Sequence, residues 1–313
     1  MMSAAMTVST LAADLPVERQ SPGPYFVVPQ VAQWMVEIGG RYWYSQGRSK
    51  VDVFAPAPFA GHLSRLTYTS LRGNSGELFG RADHLSGFFT KGFIGAGVID
   101  TGNLRDEDFP PILGGYSSTS SDQSGGKLGY AVLDFGWAWR GDTALLGFFA
   151  GYSYYHERLN AYGCAQTGLN PLICAPAVAS SVLVITQDTT WNSIRLGMNA
   201  EWHFAPGWRV TGDLAWVPYT SLHGVDNHWL RTDVGGAFVD NGVGLSTIQV
   251  EAFVTYQFLN GLTVGAGGRY WRFRTDGADT DILGTPVTWI TERWGAFLQA
   301  SYKFGVLRPT RYN

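Results

Sequence analysis

Residues 193–202 read Ser193-Ile194-Arg195-Leu196-Gly197-Met198-Asn199-Ala200-Glu201-Trp202. Every second residue from Ile194 is apolar, and those between are polar, charged or glycine. This is the period-2 signature of a strand with two unlike faces. The run exceeds the roughly five or six residues of a typical globular strand, and it ends on an aromatic. The pattern returns over Trp34–Tyr44, Leu133–Trp139, Ile248–Phe258 and Trp294–Phe304. Such runs fit tilted membrane-crossing strands, which turn apolar side chains to lipid and polar ones to a lumen, with aromatic girdles at the interfaces. A soluble sandwich or barrel is the alternative, with shorter strands and ordinary outward polar residues.

Composition agrees. Of 313 residues, 40 are Gly and 14% are aromatic, while only 15% are charged, which excludes a disordered or tail-like chain. The net charge of -3 leaves no basic footprint, so nucleic acid is not an expected partner. No apolar run reaches the roughly 18 residues of a membrane helix.

Connections sort into two alternating kinds. Short ones fall at His84–Gly87, Arg140–Thr143, Ala205–Gly207 and Asn260-Gly261, the last a hairpin turn signal. Long ones cover 47–60, 101–125, 159–187, 223–244 and 276–286. Counting between them predicts ten strands near 34–46, 61–84, 87–100, 126–140, 143–158, 188–204, 208–222, 245–259, 262–275 and 287–304. The second carries Gly73 and Gly76, read as a bulge. The expected fold is therefore all-β, a ten-stranded antiparallel transmembrane barrel of outer-membrane type with long extracellular loops. Residues 34–304 form the barrel, 14–33 an N-terminal linker and 305–313 a C-terminal tail. Leu11-Ala12-Ala13 suggests that 1–13 is a signal-peptide remnant.

Cys164 and Cys174 are the only cysteines, and they share one polar stretch without a CxxC or a histidine pair. Zinc is not expected. A disulfide suits an exported protein; two free thiols are the alternative. Arg269, Arg272 and Arg274 alternate with aromatics, and Arg272 and Arg274 are placed in the lumen beside Glu201 and Glu251. The tryptophans are read as girdle anchors.

Two acidic motifs fall on long loops, Asp106-Glu107-Asp108 and Asp226-Asn227-His228. In extended chain, residues i and i+2 project together. With 17 Asp in the chain an Asp-x-Asp arises by chance, and a second stands at Asp279 and Asp281. The joint placement of the two motifs on outer loops two and four is what carries weight. Asp226 would orient His228, which would deprotonate a water molecule. Asp106 and Asp108 are too close for both to ionise easily, so one would keep a proton to donate to a carbonyl. Solvated loop polar residues are the plain alternative.

These stretches, with Leu63–Tyr68, Gly92–Gly97, Leu146–Tyr152 and Tyr302-Lys303-Phe304, resemble the omptin family of outer-membrane proteases. The resemblance implies an aspartic-type endopeptidase at the surface of a Gram-negative bacterium, with catalytic residues Asp106, Asp108, Asp226 and His228. It implies no metal or other cofactor, lipopolysaccharide as a candidate activator, outer-membrane lipid and polypeptide substrates as partners, and a monomer. Members that cut between basic residues carry an acid two positions before the Asp of Asp-x-His, here Gly224. A second acid aligns with Val51, one step from Asp52. The family's lipid-binding Tyr, acid and Arg correspond to Tyr152, Tyr154 and His156, so only Tyr152 is kept. A non-catalytic adhesin or lipid-binding scaffold is the rival reading, and a pore is disfavoured because ten strands leave a lumen that side chains largely fill.

Overall fold

The computed structural model describes residues 33–305 except 57, 59, 111–114, 233–235, 246 and 281–284. The expected leader 1–13, the linker up to residue 32 and the tail from 306 lie outside the described residues.

Twelve strand segments follow in order: β1 (Trp34–Phe54), β2 (His62–His84), β3 (Phe88–Asp108), β4 (Ser117–Arg140), β5 (Ala144–Gln166), β6 (Val178–Ala205), β7 (Trp208–His228), β8 (Ala237–Gly244), β9 (Thr247–Gln257), β10 (Leu262–Arg274), β11 (Gly277–Thr280) and β12 (Pro286–Phe304). All pairings are antiparallel. Both β8 and β9 pair with β7, and both β10 and β11 pair with β12, so each couple is one broken stave. The result is a ring of ten staves, closed by β1 on β12 from Val36↔Phe304 to Val53↔Val287. Closure leaves no free edge, the condition for a sheet to cross a bilayer.

The alternation seen in the sequence sorts in the expected sense. Ile38, Leu78, Ile94, Phe135, Leu196 and Leu298 are exposed on the outer wall, while Glu37, Asp134, Arg195 and Gln299 are buried inside. Trp139, Trp202, Phe204 and Trp208 gird the end with the short turns, and Tyr42, Tyr44, Tyr152 and Tyr219 stand exposed nearer the other. Gly261 sits at φ +89° in the hairpin turn predicted at Asn260-Gly261, a conformation open to glycine. Its N–H donates to Phe258 O, and Asn260 Oδ1 accepts from Leu262 N.

Three expectations are corrected. The outer loops are much shorter than read, because the strands run on far above the aromatic girdle. Ser117–Ser124 pairs with β3 on one side and β5 on the other although both of its faces are polar. Outside lipid, ladder hydrogen bonds alone keep such a strand and no apolar alternation marks it. Second, Arg269 fills the lumen, whereas Arg272 and Arg274 face outward; one residue of register decides the face. Third, the tryptophans divide. Trp43, Trp191, Trp271 and Trp289 are buried inside the barrel rather than anchored at an interface.

The lumen is packed in tiers. Towards the short turns, Arg209 bridges Glu37 and Glu201, and Arg81 also reaches Glu201 at 2.9 Å. Above them, Arg269 lies 2.7 Å from both Glu77 and Glu251, and Arg41 contacts the same pair. Trp43, Phe93 and Trp271 place their rings over the Arg269 guanidinium. Higher still, Arg293 pairs with Glu157 at 2.6 Å beside Tyr155, and an apolar cluster including Leu66, Leu104 and Ile185 leads to the outer mouth.

Candidate active site

Asp106 and Asp108 lie at the outer end of β3, and Asp226 and His228 at the outer end of β7, all on strands rather than on the long loops expected. Which way each pair points is set by an irregularity lower in its strand. Along β3 the inward residues are odd-numbered up to Ile99, then Asp100 and Thr101 both face out, and from Leu104 the inward set is even. The matching register shift in β2 falls at Thr69–Gly73, with Ser70 at φ 54°, and it turns Leu66 and Tyr68 inward. The bulge is real but centred on the residues just before Gly73, towards the outer mouth; Gly76 pairs regularly. In β7 the shift lies between Trp216 and Tyr219, across Pro218, which cannot donate a ladder hydrogen bond. Without these shifts Asp106 and Asp226 would point away from the lumen. Bulges that re-aim side chains near active sites are a general device.

The four residues line one cleft of about 550 Å³ in the outer mouth, together with Ser64, Arg231 and Trp289. His228 Nε2 is 2.8 Å from Asp226 Oδ2, which leaves Nδ1 for the cleft. The backbone behind is tied down: His228 N donates to Gly236 O, and Trp229 donates from N to Val184 O and from Nε1 to Thr186 Oγ1. The Phe238 ring packs edge-on against the imidazole. On the other wall Ser64 hydrogen-bonds Asp108.

Charge in the cleft is unevenly held. Burial, then the neighbouring Asp108, push Asp106 up to about 7, against the pull of His228. Burial also raises Asp108, opposed by the Ser64 hydrogen bond and by Arg231. For His228, burial disfavours the imidazolium, but the Asp226 carboxylate, its hydrogen bond and Asp106 outweigh that and raise the pKa. Near neutrality the site can therefore hold a carboxylic acid on one wall and an Asp-bound imidazole on the other. That is one proton donor and one proton acceptor in a shared cleft.

Two participants were not singled out by sequence reasoning. Tyr68, fully buried, lies close enough to Asp226 and Asp106 for their charges to add to burial in raising its hydroxyl well above its usual range. Trp289 covers Gly224: a side chain there would meet Trp289 Cζ2 at 2.9 Å. No local sequence signal marks either residue, since each reaches the cleft from a strand distant in the chain.

The remaining candidates fall elsewhere. Val51 points into the cleft, but Asp52 lies off it and is held by Lys50 at 2.7 Å and Arg65 at 2.6 Å, so it supplies no acid there. Tyr152 is on the outer wall, its hydroxyl on Asn192, facing the membrane rather than the cleft. His223 bonds Asn241 on the outer wall. Cys164 and Cys174 are joined in a disulfide, with Cα atoms 5.6 Å apart, and both line the cleft. Asp281, of the second Asp-x-Asp, lies outside the described residues. Among the described residues no cluster of His, Cys, Asp and Glu is arranged to hold a metal.

No family model matches the chain, and no curated protein matches it in sequence. Similarity appears in three dimensions. The outer membrane protease OmpT from Escherichia coli superposes with a TM-score of 0.68 at 12% identity, over 86% of this chain and 97% of OmpT. The outer membrane protein OprG from Pseudomonas aeruginosa aligns over 88% of this chain and 98% of its own, at 11% identity and a TM-score of 0.39. The OmpT match, the ten-stave ring and the apolar outer wall lead to one structural statement: the chain folds as a divergent, omptin-like outer-membrane barrel.

Proposed function

We propose that the protein is an omptin-like endopeptidase that cleaves polypeptides outside a Gram-negative cell by direct attack of water. The observation that carries the reading is the meeting of Asp106, Asp108, Asp226 and His228 in one cleft from two separate strands. His228, oriented by Asp226, takes a proton from water held between the walls. The hydroxide attacks the peptide carbonyl. The protonated member of the Asp106/Asp108 pair donates to the developing oxyanion, where a preformed donor in a shielded site is worth most. The proton on His228 then passes to the leaving amine, and the carboxyl pair regains its proton as the carbonyl re-forms. No covalent acyl-enzyme is needed.

The test is cleavage of a diverse peptide library by refolded protein, with and without lipopolysaccharide. His228→Ala and Asp106→Asn should each lose at least about 100-fold in kcat/KM, the scale of general acid–base catalysis. Variants that cut as fast as the parent would sink the reading. The rival, a non-catalytic adhesin or lipid-binding scaffold, draws on Gly224, where basic-cutting omptins carry an acid, and on Tyr154 and His156, which depart from the family's lipid-binding set. A folded barrel that cuts no peptide in any lipid would favour it.

A further inference from the structure

Val51, Leu66 and Trp289 form a surface of their own in the cleft. Val51 in β1 pairs across the ladder with Trp289 in β12 on one side and with Leu66 in β2 on the other. Leu66 in turn pairs with Asp106 in β3. A single inward row therefore runs Asp106, Leu66, Val51, Trp289 around one wall of the cleft. Opposite Trp289 stands Gly224, two residues before Asp226, and the indole occupies the space a side chain at 224 would need. The row thus connects the carboxyl pair to the strand that carries the histidine. Leu66, Val51 and Trp289 are apolar, and Val51 is only 4% exposed.

A further carboxylate beside this row, outside the catalytic set, has another task. Asp240 in β8 pairs with Gly224 and accepts a hydrogen bond from Trp289 Nε1 at 2.8 Å. It is 4% exposed, and its other oxygen is closed to solvent. The backbone N–H of Trp289 donates to Thr275 Oγ1. Asp240 and Thr275 thus fix Trp289 from its side chain and its backbone in the lining of the cleft.

Resting on the peptidase reading, we infer that this cleft receives an uncharged apolar side chain of a polypeptide, Leu- or Phe-like, beside the cleaved bond. Trp289 and Val51 are the specificity-determining residues and Asp240 is a positioning residue. The physical reason is asymmetric. An apolar side chain loses water and gains contact with Val51, Leu66 and the indole. A Lys or Arg head group in the same place gives up its hydration, and the carboxylate that borders Gly224, Asp240, already accepts from Trp289 Nε1. Basic residues are thus disfavoured by the same surface that favours apolar ones.

The experiment separates preference from catalysis. Labelled peptides that differ at one position (Leu, Phe, Lys, Arg or Glu) are titrated by fluorescence anisotropy against folded His228→Ala protein in micelles, and the same peptides are offered to the parent protein for cleavage. Leu and Phe peptides should bind at least 10-fold tighter than Lys and Arg peptides. Val51→Glu should shift the ratio at least 10-fold towards Lys and Arg. Trp289→Ala should abolish the apolar preference and Trp289→Phe should restore it, with far-UV circular dichroism reporting the fold of each. Asp240→Asn should weaken Phe binding without creating a preference for base. Lys or Arg peptides binding as tightly as Leu and Phe peptides would overturn the inference, as would binding indifferent to that side chain or absent altogether. Preference without cleavage would leave the inference standing and remove the peptidase; cleavage after Lys or Arg would do the reverse.

Discussion

Asp106 and His228 must hold opposite protonation states to act together, and their surroundings pull them towards the same pH. The Asp106/Asp108 pair has to keep a proton, which Asp106 gives up only near 7. His228 has to be neutral to accept one, yet its pKa lies above the usual value. The pH profile of kcat/KM should therefore be a narrow bell near neutrality, with the acid limb set by His228 and the alkaline limb by the carboxyl pair as a coupled unit. Replacing Asp108 by Asn removes the like charge that helps to raise Asp106. The alkaline limb should then move to lower pH, and an unmoved limb between pH 6 and 9 would contradict the assignment. At this scale the sequence was half legible. The i, i+2 spacing shows that each pair shares a face, but not which face. That depends on the irregularities at Asp100–Thr101 and Pro218, whose effect is decided by neighbouring strands. Tyr68 and Trp289 stayed hidden for the same reason.

The strands were legible where lipid imposes its alternation and illegible above it. From Leu133 to Trp139 every outward side chain meets hydrocarbon, so the sequence must alternate. From Ser117 to Ser124 nothing forces the pattern, and a paired strand looked like loop. The breaks between β8 and β9 and between β10 and β11 fall where the sequence ends its strands, near 245 and 275; what stayed hidden is that β8 and β11 carry the staves on beyond them. The disulfide belongs to this upper region. Cys164 lies two residues before the end of β5, where it pairs with Val178 of β6, and Cys174 sits in the intervening loop. Loop-closure entropy for a sequence separation of 10 gives about 3 kcal/mol, and only against opening of this rim, since the ladder below is independent. The Cys164→Ser, Cys174→Ser protein should keep the heat-stable barrel seen by gel mobility. It should be nicked faster by chymotrypsin at Leu169 and Leu172, which are 98% and 76% exposed, and show a KM several-fold higher. Loss of the barrel itself would show that the bond supports more than the rim.

A ten-stave ring with an apolar outside must put its polar residues inside, and a lumen this narrow has to fill with side chains or conduct. Here it fills. Glu77 and Glu251 converge on Arg269 from strands on different sides of the barrel, and the aromatic tier of Trp43, Tyr130 and Trp271 closes over the same guanidinium. The cavity left among these charged tiers is about 80 Å³, room for a few waters. The buried charges are sustained by one another rather than by solvent, so their value shows only when one is removed. Arg269→Ala would take from Glu77 and Glu251 the cation that lies between them and leave both to Arg41. It should cost about 3–5 kcal/mol in urea unfolding from micelles, the range for breaking a buried pair, whereas Arg269→Ala with Glu77→Gln and Glu251→Gln should recover part of the loss. In planar bilayers the parent protein should give no conductance steps, because the ion pairs and the aromatic tier block the axis in series. Steady channels from the unaltered protein would mean that the tiers part in the membrane, and the barrel would then have to be understood as a pore whose mouth carries the acid–base cleft.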